Sequence, residues 1–317
     1  MRFTVSRSTQ DGIHLIELTD TIQQTRAAIA PAHGAMLHAF CLHADNGAYN
    51  VIDNYSNIRQ LQNELGVSFK NCKLSPFVCR IREGKYQYEG EEIEFTRKQS
   101  DGAALHGLLY DKPFSIVHER ADDNEASVLL KYNYKEEEDG YPFSYRCEAR
   151  YTLLPDSILQ VTTTIINLDE LALPLADGWH PYFKLDGDMR DWLLYCNTDT
   201  QVELDGALVP TGRLLRYPAF AEEAPIGDTV LNNCFLLNQD GGGSACTLRH
   251  PDSGLRLSII PDASYPYLQL YTPPQRNSIA IESMSAAPDA FNNKMGLVLL
   301  PPGDTRSFTV YYQLTCE

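Results

Sequence analysis

Phe143-Ser144-Tyr145-Arg146-Cys147-Glu148-Ala149-Arg150-Tyr151-Thr152-Leu153 decides the fold class. Apolar residues and Ser144, Arg146, Glu148, Arg150 and Thr152 alternate without a break. A period of two puts one set on each face of an extended chain, so this is a half-buried β-strand. Leu154-Pro155-Asp156-Ser157 then reads as a turn. Residues 158–166, rich in β-branched side chains, give the next strand. Residues 127–134 give the preceding one, joined through Glu136-Glu137-Glu138-Asp139-Gly140-Tyr141-Pro142. That acidic run reads as a solvated hairpin tip. Further β-type runs fall at 255–260, 267–272, 279–282, 296–300 and 307–316, and near Phe3, Ile13 and Ala27. One helix is expected, with Ser56 as its cap, Ile58, Leu61 and Leu65 on one face, and Gly66 at its end.

Many short strands with regular turn signals indicate a β-sandwich or barrel. At ~150 residues per domain the length suggests two domains, but all-β folds often exceed that figure. No composition shift marks a linker, and Gly241-Gly242-Gly243-Ser244 suits a loop tip. The expectation is therefore one all-β, antiparallel domain over residues 1–317.

Hydrophobic residues at 43% and charged residues at 21% allow a sizeable core and exclude whole-chain disorder. The net charge of −16 repels phosphate backbones, so no nucleic-acid partner is expected. No apolar run approaches the ~20 residues of a membrane helix, so no membrane partner is expected. The first residues lack an apolar core and a small-residue cleavage site, which points to the cytoplasm. Eight scattered cysteines form no C-x-x-C pair and read as free thiols of a reducing compartment.

Three stretches stand out chemically. Asp101-Gly102-Ala103-Ala104-Leu105-His106-Gly107 places a histidine in a turn. Asp177-Gly178-Trp179-His180-Pro181-Tyr182-Phe183 surrounds another with aromatic residues. Ile279-Ala280-Ile281-Glu282-Ser283-Met284-Ser285 ends an apolar run on a carboxylate. Each alone is an ordinary turn, core or strand-end residue. Together they supply the acid and base of proton-transfer catalysis beside aromatic surface on which sugars stack. His33, His38 and His43 do not converge on a metal, and no cluster has zinc-ligand spacing. No phosphate-binding glycine loop or G-x-S-x-G is present. Asp186-Gly187-Asp188 is too short for a calcium loop and reads as a turn.

In chain order the sequence carries Cys79-Arg80-Ile81, Gly84-Lys85-Tyr86, Leu105-His106-Gly107, Gly140-Tyr141-Pro142 and His180-Pro181-Tyr182-Phe183. Asn232-Asn233-Cys234-Phe235, Leu268-Gln269-Leu270-Tyr271-Thr272 and Ile281-Glu282 follow. With this ordered set the chain resembles the aldose 1-epimerases, or galactose mutarotases. The resemblance implies a large β-sandwich, the galactose mutarotase-like supersandwich, with a sugar cleft on one sheet. It implies Glu282 as general base and His180 as general acid. It places Arg80, His106, Tyr182, Asn232 and Gln269 around the sugar hydroxyls, and implies no cofactor and no metal requirement. The partner is a small sugar, and monomer and homodimer are equally compatible with it.

The chain departs from the family pattern in three places, all expected at substrate contacts. Cys79 replaces an asparagine, Asn232 an aspartate, and Trp179 a smaller polar residue. Arg80, Arg82 and Arg97 suggest a second substrate class, hexose 6-phosphates, although Arg82 and Arg97 also read as solvated strand-face residues.

Interconverting anomers requires a base on the O1 proton and an acid at the ring oxygen O5. An ordinary glutamate, pKa ~4.3, is ionised at neutral pH. Histidine, near ~6.5, would need a raised pKa, which a neighbouring Glu282 would supply. A non-catalytic carbohydrate-binding protein on the same fold is the alternative class, and it has no use for a paired acid and base.

Overall fold

The computed structural model describes residues 1–44, 47–137, 140–238 and 243–316. The alternation at 143–153 becomes the strand Ser144–Leu154, which buries Tyr145, Cys147, Ala149, Tyr151 and Leu153. It pairs antiparallel with Ala126–Lys135 and Ile158–Asn167. The turn between them holds Asp156 and Ser157 in the left-handed region, at φ 62° and 53°. These strands belong to a nine-stranded sheet continued by Thr305–Cys316, Leu255–Pro261, Cys246–Arg249 and Leu193–Cys196. Its edges are Ser115–Ala121 and Ala224–Pro225.

A second sheet, of eight strands, runs in the order Pro210–Arg216, Thr200–Leu204, Asn232–Leu236, Tyr267–Tyr271, Ile279–Met284, Gly178–Trp179 and Lys73–Leu74. Tyr182–Phe183 also pairs with Ile279–Met284. Phe3–Gln10, Ile13–Asp20, Thr25–Ala30, Met36–Ala44 and Gly47–Asn50 form a third, N-terminal sheet.

Ile279–Met284 is buried along its whole length, because its sheet is covered on both faces. One face packs on the nine-stranded sheet. Trp179 meets Tyr151 edge-on at 5.7 Å, and Phe183 meets Tyr312 at 5.5 Å. Ile279, Ile281, Leu268 and Leu270 lie in that core. The other face joins a second apolar cluster, in which Val202, Cys234, Tyr267 and Met284 pack with Ile13, Met36, Leu61, Leu65 and Phe69. The N-terminal sheet and the helix therefore cover one face and leave room for a cleft between layers.

The helix spans Ile58–Ser68, and its ends differ from expectation. Asn57 caps it by accepting from the Gln60 amide at 2.9 Å, while Ser56 is bonded by the Gln60 side chain. Gly66 lies inside the helix. Termination falls to Phe69, left-handed at φ 50°, whose ring is drawn onto His106 and Tyr110 at 4.7 and 4.8 Å. Met36–Ala44 was not expected as a strand: it is buried on both faces at most positions, so it shows no clean alternation. His38 is buried there, and His33, His38 and His43 join no cluster able to bind a metal among the described residues. Asp188 caps a short turn at Met189–Asp191, in keeping with a turn at 186–188. Glu138 and Asp139 of the acidic tip, and Gly241 and Gly242 of the glycine run, lie outside the described residues. None of the eight cysteines is in a disulfide. No helix among the described residues is long and apolar enough to cross a membrane.

Candidate active site

Register alone aligns part of the site. Gln269 pairs directly with Glu282, and Cys234 pairs with Gln269 on its other side. Asn232, two residues from Cys234, is thus the diagonal neighbour of Gln269. Gln269 Nε2 donates to Asn232 Oδ1 at 2.9 Å. His180 arrives where the chain passes from Gly178–Trp179 to Tyr182–Phe183, both paired with Ile279–Met284. Trp179 and His180 point to opposite faces, as neighbours in an extended chain must. Trp179 is therefore in the core, its indole N–H donating to Thr163 Oγ1 at 3.1 Å. It is not a substrate contact, and the expectation that it was one is corrected. Phe183 likewise lies in the core, which leaves Tyr182 as the aromatic of this stretch that faces the cleft.

Arg80 and His106 come together through a two-residue pairing, Leu105 opposite Arg80. The His106 amide donates to Cys79 C=O at 2.7 Å, and the Leu108 amide to Ser75 C=O at 2.7 Å. His106 is left-handed at φ 59° and Gly107 at φ 76°. A Cβ on Gly107 would stand 2.3 Å from the Ser75 carbonyl oxygen, so only glycine fits this approach. Phe69, Asn71, Cys79 and Asp289 are also left-handed, at 48–61°. Such residues cost energy and gather at functional sites.

These elements enclose a pocket of about 260 Å³, near the low end of the ~300–1,000 Å³ usual for small-molecule sites. Arg80, His106, His180, Tyr182, Asn232, Gln269 and Glu282 all line it. All seven residues expected at the site are thus brought together. His180 Nε2 lies 3.4 Å from Glu282 Oε1, and both side chains are almost fully buried. His106 meets His180 edge-on at 4.7 Å, and Tyr182 stacks on His180 at 5.1 Å with ring planes 10° apart. Glu282 Oε2 and Gln269 Oε1 are buried without a hydrogen-bond partner. A sugar hydroxyl is the natural donor to such oxygens. Cys79 also lines the pocket, with its thiol 3.4 Å from Met284 Sδ. Val67, Leu204 and Leu208 complete an apolar rim.

The electrostatics run against the simple expectation. Burial pushes Glu282 well above the usual carboxylate range. Burial also holds His180 down, to about 4. The neighbouring Glu282 does not reverse this shift, because burial penalises the charged imidazole. His106 is held well below its usual value, first by burial and then by His180 and Arg80. Burial thus disfavours the charged form of each member of the pair.

Two of the three arginines considered for a phosphate are committed elsewhere. Arg82 pairs with Asp205, and Arg97 with Asp111 at 3.1 Å and Tyr110 at 2.8 Å. Neither lines the pocket. Arg80 is the cation in its wall, and it is paired with Asp101 at 3.0 Å.

Sequence reasoning missed the supports. Asn71 donates to Asp53 C=O at 2.8 Å, accepts from the Tyr182 amide at 2.7 Å, and donates its own amide to His180 C=O at 2.9 Å. Lys73 and Asp177, both fully buried, pair at 2.7 Å, and Tyr265 donates to Asp177 at 2.6 Å. Asn71 lies in an irregular stretch and Lys73 beside it, where no periodicity marks them.

Comparison with known proteins fixes the lineage. Residues 14–313 match the profile of the family described as aldose 1-epimerase. The chain belongs to that family. The uncharacterized protein YihR of Escherichia coli (strain K12) is 29% identical over 251 residues, 76% of this chain and 78% of YihR. A galactose mutarotase-like protein from Clostridium acetobutylicum superposes with a TM-score of 0.87 at 15% identity, covering 100% of this chain and 99% of its own. A galactose 1-epimerase from Lactobacillus acidophilus NCFM gives 0.81 at 19% identity, covering 100% and 99%. The fold is that of the galactose mutarotases, and as an aldose 1-epimerase family member the protein is an isomerase.

Proposed function

We propose that this aldose 1-epimerase interconverts the α and β anomers of a free, unphosphorylated hexose, with Glu282 and His180 as its proton-transfer pair. The observation that carries the reading is the 3.4 Å approach of His180 Nε2 to Glu282 Oε1 in the wall of a sugar-sized pocket. The pair holds one proton. With a cyclic sugar bound, the pair reacts from its ionised form, the shared proton on His180: the carboxylate takes the O1 proton while the imidazolium protonates O5, and the C1–O5 bond breaks. The enzyme is left with a protonated Glu282 and a neutral His180 beside the open-chain aldehyde. That is the protonation state burial favours, so the ring-opened intermediate is not opposed by the environment. Rotation about C1–C2 and reversal of both transfers close the ring on the other face.

His106 and Arg80 supply donors to oxygens on which charge develops. Gln269, Asn232 and Tyr182 hold the remaining hydroxyls. Among the described residues of the pocket wall the arginine is Arg80, already paired with Asp101, which favours the neutral sugar over its 6-phosphate. Eight cysteines outside any disulfide support a reducing, cytoplasmic location.

Polarimetry on freshly dissolved single anomers, with calorimetric titration, tests the reading. Glu282→Gln keeps the shape but cannot accept a proton. Its mutarotation rate is expected to fall about 10²–10⁴-fold, with the sugar dissociation constant nearly unchanged. An undiminished rate removes Glu282 from the role. Sugar binding by the unaltered protein with no acceleration of any anomer in a broad panel makes it a binding protein instead.

A further inference from the structure

The chemistry above uses His106, His180 and Glu282 for protons and hydrogen bonds, yet the three also form a set of another kind. One ligand atom from each lies within 4.8 Å of the others, and all three side chains are buried. They come from separate parts of the chain, so no zinc-ligand spacing in the sequence marks them. Two imidazoles and one carboxylate, with the remaining positions open, is a donor set that suits zinc.

The geometry points to an inhibitory divalent-metal site at His106, His180 and Glu282, where Zn²⁺ and sugar exclude each other. Three observations support it. The His180–Glu282 contact, 3.4 Å, already matches the separation of two ligands on one tetrahedral ion with bonds of ~2.0–2.2 Å. His106 stands edge-on to His180, ring centroids 4.7 Å apart, and its ligand atom lies within 4.8 Å of the other two, so it needs to close by at most about 1.5 Å to reach the same ion. Glu282 lines the pocket and its Oε2 is buried without a partner, so a metal held by both carboxylate oxygens would satisfy an acceptor that no described residue engages. A bound ion would take the base, the acid and the adjoining donor at once. It would therefore compete with the sugar and block turnover. This goes beyond the epimerase reading, and its binding arm does not depend on activity.

Calorimetric titration of the full chain with Zn²⁺ is expected to show one ion per chain, weakened by saturating sugar. Altering groups that merely support metal ligands costs ~10–100-fold in affinity, so removing a ligand by His106→Asn or Glu282→Gln should weaken binding at least about tenfold. His118→Asn, at an exposed histidine outside the site, should leave it unchanged. Circular dichroism checks that each variant is folded, and the two ligand variants back each other. Co²⁺ as a spectroscopic probe should give visible bands without intense sulfur-to-metal charge transfer. In polarimetry Zn²⁺ should raise KM and leave kcat unchanged, and a chelator should leave the metal-free rate intact. The proposal fails if Zn²⁺ does not bind or if both ligand variants bind it undiminished. It fails equally if Co²⁺ reports thiolate ligation, or if chelation abolishes activity that the ion then restores.

Discussion

At the scale of single residues, the decisive feature is that burial shifts both members of the proposed proton-transfer pair, His180 and Glu282. His180 is held to about 4 and Glu282 is pushed well above the usual carboxylate range. Between those limits the pair carries one proton and is competent. kcat/KM should therefore have a plateau that starts above pH about 4 and ends at the raised value of Glu282. Its acid limb should fall near pH 4, where His180 takes a second proton, and its alkaline limb where Glu282 loses the last. The measurement is kcat/KM by polarimetry from pH 3.5 upward. An acid limb near 6.5 would mean that His180 titrates as an exposed imidazole and is not paired as described. Asn232 carries the second prediction. Its Oδ1 already accepts from Gln269, which leaves its amide N–H donors for the substrate. Asn232→Asp replaces donors by acceptors. It should alter the ranking of hexoses that differ at C4 and C6 more than it alters the best rate. Equal effects on every sugar of a panel would take Asn232 off the substrate.

At the scale of elements, the site depends on short, irregular segments held to one long strand. Ile279–Met284 is the fixed member, while Asn71 ties the His180–Tyr182 segment to Asp53 with both ends of its amide. Asn71→Ala removes those bonds, leaves a buried carbonyl and a buried amide open, and puts alanine at φ 61°. Each unsatisfied buried group costs ~1–3 kcal/mol. Urea unfolding should show a loss of at least ~2 kcal/mol, with a lower kcat from a displaced His180. Full stability in the variant would mean that the clamp contributes nothing. The elements legible in the sequence were those with one dry and one wet face: 143–153, with Tyr145 to Leu153 buried in alternation, is the clearest. Met36–Ala44, buried on both faces, hid its period, and the helix end at Phe69 was set by ring packing rather than by Gly66.

At the scale of the whole molecule, buried histidines couple stability to pH. His106 and His180 are both lowered by burial, so the unfolded chain binds their protons first as pH falls through ~6.5. Their contribution is complete above that value and is lost as pH falls toward the folded values. Glu282, raised by burial, acts in the opposite sense: its contribution is complete below ~4.3 and is lost as pH rises through its folded value. His106→Asn removes one histidine term alone. Between pH 7 and 5 the unaltered protein should lose more stability in urea than this variant does. Parallel losses would show that His106 keeps an ordinary pKa in the folded state.

The sequence by itself determined the all-β class, five strands of the nine-stranded sheet and two of the eight-stranded one, because one-sided burial writes a period of two into the chain. Its ordered motifs also named the seven pocket residues, since those residue types sit in short recognisable strings. Tertiary structure decided what no string encodes. It turned Trp179 inward and His180 outward, committed Arg82 and Arg97 to carboxylates away from the pocket, and drew His106, His180 and Glu282 into one cluster. It also set the direction of both pKa shifts. Desolvation depends on how many layers cover a group, and that is fixed only when distant strands and the N-terminal sheet close over the same face.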